Sequence, residues 1–326
     1  MKTITASLNH VKATGFARTL LGVMTLAGLL TGDAALMNAQ GTPDCGKYPT
    51  VSTNLGPLCH RVGILPWFVG IPGVWETELR LGVGLDAIRF AYGLPSSYDT
   101  NLIAEDSEAG SRVFEAIGEL DLRKTHASYL SRILGFGDYD STTGKFNPRN
   151  ATGSLGMSAE AQRAAALEAV SAFAVYRYIQ NGAVVSQATA PIIFLDQATA
   201  RWSAIVTETP RDQQSQPGAT VTSFAVVNLS PDPQAVLIRV YDEFGDLSAS
   251  AKTPELQGGL PSGDVHADTL SNILGINLPT SQCLGCTSAP VFRGTVIFEG
   301  EKGGQIAPVM FRFNGLALSA VPVRAE

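Results

Sequence analysis

HASYLSRILGF, residues His126 to Phe136, recurs as HADTLSNILGI, residues His266 to Ile276, with seven of eleven positions identical. A segment repeated at long range is the first sign that a chain is built from copies of one unit. Two weaker matches flank it in the same order. Upstream, Ile88-Arg89-Phe90 matches Ile238-Arg239-Val240; downstream, Tyr176-Arg177-Tyr178 with Asn181-Gly182 matches Phe311-Arg312-Phe313 with Asn314-Gly315. The ends also correspond, Ser186 then Pro191-Ile192 against Ser319 then Pro322-Val323. The offset falls from 150 to 140 to 135 residues, as loop gains and losses between fixed anchors would produce. Three matches in one order point to duplication.

These anchors predict a first domain over 60–208 and a second over 219–326, joined by a polar, Pro-punctuated linker at 209–218. A Gly/Pro-rich lead-in occupies 40–59. Strand periodicity dominates both copies. Trp75, Thr77, Leu79, Leu81 and Val83 alternate with Glu76, Glu78, Arg80, Gly82 and Gly84, which places the first set on a buried face. In the second copy Phe224, Val226 and Asn228, then Val236, Ile238 and Val240, then Phe292, Val296 and Phe298 mark further strands, with a turn at Asp242–Asp246. The reading is a mainly β chain of two tandem β-sandwich-like domains.

Each copy is expected to carry one short helix. Ala127, Leu130 and Leu134 share a helical face before Gly135, as do Ala267, Leu270 and Leu274 before Gly275, and glycine suits a helix C-terminus. The first copy has in addition AEAQRAAALEAV, Ala159–Val170, whose composition favours helix, with Ser158 as its N-cap. It reads as a helical insertion or a divergent edge, because the second copy carries the strand-like FRGTVIF near that place.

The chain has 326 residues, 16% of them charged, with 33 Gly and 18 Pro, which suits a turn-rich β protein. A net charge of −6 argues against a nucleic-acid partner, since phosphate binding needs a basic field. Residues 1–39 read as a signal peptide. Lys2, Lys12 and Arg18 stand without acidic neighbours before an uncharged run from Thr19 to Gly32, and Ala39 precedes the favoured cleavage point. The product is expected outside the cytoplasm, secreted or at the cell surface, touching membrane only through that segment if it is not cleaved. Four cysteines remain after it. Cys45 with Cys59 and Cys283 with Cys286 form the simplest disulfide pairing of the three that four cysteines allow. A redox CxxC would need a helix N-terminus, and zinc would need two more ligands.

Chemistry-bearing motifs are few. No GxSxG elbow occurs. His126 and His266 occupy equivalent positions at the expected helix starts, where polar residues ordinarily act as caps. Glu76 and Glu78 share a strand face roughly 7 Å apart, within the range of glycosidase carboxylates, but with Arg80 beside them they equally describe a solvated face. Asp138, Asp140 and Thr142 before Gly144 only partly follow a calcium loop. Trp67 and Trp75 could stack on sugar rings, and Arg89 and Arg239, with Arg177 and Arg312, could bind an anionic polymer. These form the candidate ligand surface. No catalytic, cofactor or metal residue is assigned. A non-catalytic adhesive, structural or polymer-binding module is expected, with a polysaccharide or an envelope protein as partner. A secreted polysaccharide hydrolase, or accessory domains of one, is the alternative. The sequence leaves oligomeric state open.

FAVVNLSPDPQAVLIRVYDEFGDL, then HADTLSNILGI, FRGTVIFEG and PVMFRFNGLALSAVPV, resemble a recurring module of secreted soil-bacterial proteins. The resemblance covers most of 220–326 and implies tandem β-sandwich units. It carries no site residues, and the CxxC lies outside its usual pattern.

Overall fold

The computed structural model describes residues 43–326 except 54–55, 84–87, 94–113, 121–124, 131–136, 141, 144, 149–150, 254–258 and 281–290. The expected signal segment, Cys283 and Cys286 therefore lie outside the described residues. The fold is mainly β, in four larger antiparallel sheets and one hairpin.

In chain order the first half holds β1 (Thr50–Thr53), β2 (Gly56–Gly70), β3 (Trp75–Val83), β4 (Ile88–Gly93), β5 (Phe114–Leu120) and β6 (Thr125–Tyr129). The hairpin β7 (Gly137–Asp140) and β8 (Lys145–Pro148) follows, then β9 (Ala151–Ala161), α1 (Ala164–Glu168), β10 (Val170–Gln180), β11 (Ala183–Pro191) and β12 (Ile193–Phe194). The second half holds β13 (Arg201–Glu208), β14 (Thr220–Asn228), β15 (Val236–Asp242), β16 (Leu247–Lys252), β17 (Val265–Thr269) and α2 (Leu270–Leu274). It ends with β18 (Phe292–Gly300), β19 (Ile306–Asn314), β20 (Ala317–Val321) and β21 (Arg324–Ala325).

Sheet I runs β1-β2-β9-β4-β5 and sheet III runs β21-β13-β18-β15-β16. Sheet II runs β11-β10-β3-β6 and sheet IV runs β20-β19-β14-β17. The orders correspond except for β1, which has no counterpart in sheet III, and each half ends by laying a short strand on its own first long one: β12 on β2, β21 on β13. A buried threonine repeats as well. Thr77 Oγ1 donates to the Val69 carbonyl at 2.8 Å and accepts from its N–H at 3.0 Å; Thr222 Oγ1 donates to the Thr207 carbonyl at 3.2 Å. Each hydroxyl ties the second long strand of its half to the end of the first.

The alternation predicted for β3 holds for the buried Thr77, Leu79, Leu81 and Val83 but not for Glu78, which is buried as well. It fails where a strand is covered twice. On β14 and β19, Phe224, Val226 and Met310 enter a core with Val240, Val296 and Phe298 of sheet III. Their neighbours Ala225, Val309 and Phe311 enter the core of the first half, with Leu65, Phe68, Leu79 and Tyr176. Sheet IV is an interior layer, and its run of apolar residues follows from that. Full burial of one such side chain contributes about 1.5–3 kcal/mol.

Two expected helices are revised. In HADTLSNILG the first four residues belong to β17, paired to β14 with His266 opposite Val226. The ladder prevails over helical spacing, and α2 starts only at Leu270, where Thr269 Oγ1 accepts the Asn272 N–H at 3.2 Å. Gly275 closes α2 at φ 67°, the left-handed conformation expected of it. His126 likewise sits in β6, opposite Leu81 of β3. In AEAQRAAALEAV, Ala159–Ala161 complete β9 between β2 and β4, Ser158 is mid-strand, and helix remains only at Ala164–Glu168. Helix propensity is a weak prior; a strand flanked by two neighbours satisfies its backbone completely, and Ala159 and Ala161 fill the core beneath. β9 occupies the place in sheet I that β18, carrying FRGTVIF, holds in sheet III. Residues 209–218 join β13 to β14, and β13, which precedes them, pairs with β18 and β21 of the second half.

Candidate functional site, an apolar end built from turns

Antiparallel registers fix which turns share an end of the molecule. Thr220 at the start of β14 faces Asn314 at the end of β19, and the Thr209 N–H donates to the Thr220 carbonyl at 2.8 Å, joining sheets IV and III there. Glu208 faces Phe292, and Asp242 faces Gly294, so the β15–β16 turn lies at this end. Trp75 faces Tyr178, and the Trp75 and Phe313 rings meet edge-on at 6.0 Å, bringing in the β2–β3 and β10–β11 turns.

All eight large hydrophobic side chains exposed among the described residues belong to this end or approach it. Val74 stands on the β2–β3 turn, Val184 and Val185 after the β10–β11 turn, and Leu316 on the β19–β20 turn. Ile276 follows α2, Phe244 and Leu247 flank the β15–β16 turn, and Ile205 projects from β13 just before Glu208. Phe244 is 83% exposed and Ile205 81%. Single exposed apolar residues are ordinary; what sets these apart is that they lie toward one pole. Both Asn-Gly turns build it. Asn181 and Gly182 take φ 53° and 76°, and Gly315 takes φ 60°, the positive values that tight hairpins need.

Behind the tips lies an aromatic seam between the halves. Tyr176 and Phe311 meet edge-on at 4.6 Å, and Trp67 stacks on Tyr176 at 6.1 Å while Tyr176 donates its hydroxyl to the Trp67 carbonyl. Burial pushes the Tyr176 hydroxyl far up, so it stays a donor. Ser186 Oγ accepts the Leu318 N–H at 2.6 Å, fastening β11 to β20.

Beside the seam a shallow open cleft of about 400 Å³ is lined by Arg211, Asp212, Gly275, Ile276 and Asn277. Under it Glu208, 2% exposed, accepts the Thr222 N–H at 2.7 Å and the Gln214 side-chain N–H at 2.8 Å. Burial raises its carboxyl to about 7 despite these bonds. Gln214 also accepts from Ser271 at 3.0 Å, so the group locks 209–218 onto α2.

The opposite end is polar. Asn228 donates to the Leu260 carbonyl at 2.7 Å and accepts from Gln234 at 2.9 Å, knotting the NLSPDPQ turn. In the first half, Arg61, 6% exposed, clasps Asp196 at 2.9 and 3.1 Å and donates to the Leu167 carbonyl at 2.8 Å. Its guanidinium lies 3.8 Å from the Phe194 ring centre. Cys45 and Cys59 form the expected disulfide beside it.

Of the candidate ligand residues, Trp75 reaches the apolar end, half-buried against Tyr178 and Phe313; Trp67 sits deeper, against Tyr176 and Phe311. Arg239 is ion-paired to Glu299, and Arg89 stands opposite Glu160 in register. Glu78 is held by Arg177 and by Arg80, the latter at 3.2 Å. His266 packs on Phe224, and burial lowers its basicity, against the opposing pull of Asp268. Its Nε2 has no hydrogen-bond partner among the described residues. Burial likewise lowers the basicity of His60. Of the calcium-like residues, Asp138 and Asp140 lie in β7, paired with β8, and Gly144 lies outside the described residues. Sequence reasoning missed the Arg61 clasp, the Glu208 lock and the apolar end; the DEFGD turn was legible, but not that its Phe would point into water.

No family model and no curated protein matches this chain. Among solved structures, the apo form of a Pleurotus ostreatus lectin aligns over 87% of this chain and 82% of the lectin chain, at 9% identity and a TM-score of 0.21, a likeness that carries no argument.

Proposed function

We propose that this chain is an exported, non-catalytic binding module, made of two copies of one β-sandwich, that holds a polysaccharide or an envelope protein by its apolar end. The observation that carries the reading is that the exposed large hydrophobics among the described residues lie at or near one pole, on its turns and the strand ends beside them. Rigid hairpins backed by stacked rings present that surface already shaped, which lowers the entropy lost on binding. The Cys45–Cys59 disulfide accords with an oxidising compartment beyond the cytoplasm. Matching strand orders support two copies, and the pairing of β13 with β18 favours a boundary before β13 over one at 209–218. Glu78, one of the two carboxylates the hydrolase alternative would use, has its Oε2 paired with two guanidinium groups, of Arg80 and Arg177.

Retention on immobilised polysaccharides and on envelope extracts tests the reading. Wild type is expected to be retained on one of them, and the doubly substituted Val184→Thr, Leu316→Ser protein to elute at least five-fold earlier with an unchanged circular dichroism spectrum. Absence of retention, or retention untouched by these substitutions, would refute it.

A further inference from the structure

The β15–β16 turn differs from the other apolar tips in its charge. Tyr241-Asp242-Glu243-Phe244-Gly245-Asp246-Leu247 contains three carboxylates and no Lys or Arg. Its backbone is closed by its own bonds. The Asp242 N–H donates to the Asp246 carbonyl at 2.9 Å, and the Gly245 N–H to the Asp242 carbonyl at 3.1 Å. Asp242 Oδ1 accepts from the N–H groups of Phe244 and Asp246, each at 2.9 Å. Gly245 takes φ 87°, which a side chain would resist. Phe244 is thereby held outward on a turn that needs no ordering before it binds, with Leu247 exposed beside it.

We infer that Phe244 is the anchor for a protein partner that offers an apolar pocket rimmed by Lys or Arg. The inference rests on the binding role of this end and names the partner's chemistry. An aromatic ring that fills a pocket while its charged surround meets opposite charges is the usual make-up of an energetic centre at an interface. A lipid surface fits poorly, because ring insertion would drag Asp242 and Glu243 out of water. A sugar ring fits poorly too: stacked sugars also need nearby directional hydrogen bonds, and Asp242 Oδ1 is already taken up by the turn.

The test titrates the purified mature chain with fluorescent 18-residue amphipathic peptides, one of Leu and Lys and one of Leu and Glu, at 50 and 500 mM NaCl. Vesicles of phosphatidylcholine, with and without phosphatidylglycerol, form a parallel arm. The Lys peptide is expected to bind at least ten-fold tighter than the Glu peptide, and to weaken at least five-fold at high salt. Phe244→Ala should cost ten-fold or more. Asp242→Asn with Glu243→Gln and Asp246→Asn should remove the salt dependence; the amide oxygen that Asp242→Asn leaves in place can still accept the turn bonds, and circular dichroism checks the fold. Equal affinity for both peptides, indifference to Phe244→Ala, binding to vesicles alone, or wild-type self-association through Phe244 would overturn the inference. If the charge variant binds as wild type while the Val184→Thr, Leu316→Ser protein loses retention, the acidic rim is refuted and the apolar end stands.

Discussion

Sheet II and sheet IV run their strands in the same order, yet the face of sheet II turned away from its sandwich core carries ion-paired charges while the corresponding face of sheet IV is apolar. The residues follow the surroundings. On the outer face of sheet II stand Arg80, Glu78 and Arg177, tied in ion pairs; on the corresponding face of sheet IV stand Ala225, Val309, Phe311 and Phe313, packed into the first half. One topology thus supports two environments, set by whether a single face carries paired charges or apolar side chains.

The difference sets the size of the expected effects. Phe311→Ala should cost the most, about 3–5 kcal/mol, because it opens a cavity among Trp67, Tyr176 and the first-half core; denaturant unfolding measures it. Cys45→Ser should remove about 3 kcal/mol, the chain-entropy value for a loop of this size, with a sequence separation of 14. Its signature is loss of hydrogen-exchange protection in β1 and β2 before β14 and β19. Thr77→Val should cost about 1–3 kcal/mol by orphaning the Val69 N–H and carbonyl, and Thr222→Val somewhat less, since only one hydroxyl bond to the backbone is lost. Equal and negligible effects would break the equivalence of the two threonines.

Glu208 has no ionisable counterpart at the end of β2, where Val69 and Gly70 stand, and gives a pH signature. Its folded-state carboxyl, at about 7, lies above the ordinary 4.5, so its contribution is complete below 4.5 and is lost as pH rises to about 7. Stability should fall through that window by on the order of 1 kcal/mol per pH unit at most and then level. Glu208→Gln should flatten this part of the profile in urea titrations run from pH 4 to 8.

Much of this was legible beforehand. Period-two alternation located β3, β14, β15 and β18, and the HAxxLSxILG repeat picked out the equivalent edge strands β6 and β17. The same motif misled about local structure, because apolar spacing within ten residues cannot tell a helix from a strand that runs into one. AEAQRAAALEAV misled for a related reason: its Ala content raises helix propensity, but two neighbouring strands claimed its first residues. The apolar end was illegible because Val184, Phe244 and Leu316 look in sequence like any apolar residue near a turn. Only the registers of three sheets bring them to one pole.

The central claim is that sheet IV, buried on both faces, joins the cores of the two halves, and native-state hydrogen exchange of Phe311→Ala tests it most directly. Amides of β3 and β10, far away in sequence, should lose protection together with those of β14 and β19. Loss confined to residues 220–326, with β3 and β10 as protected as in wild type, would contradict it.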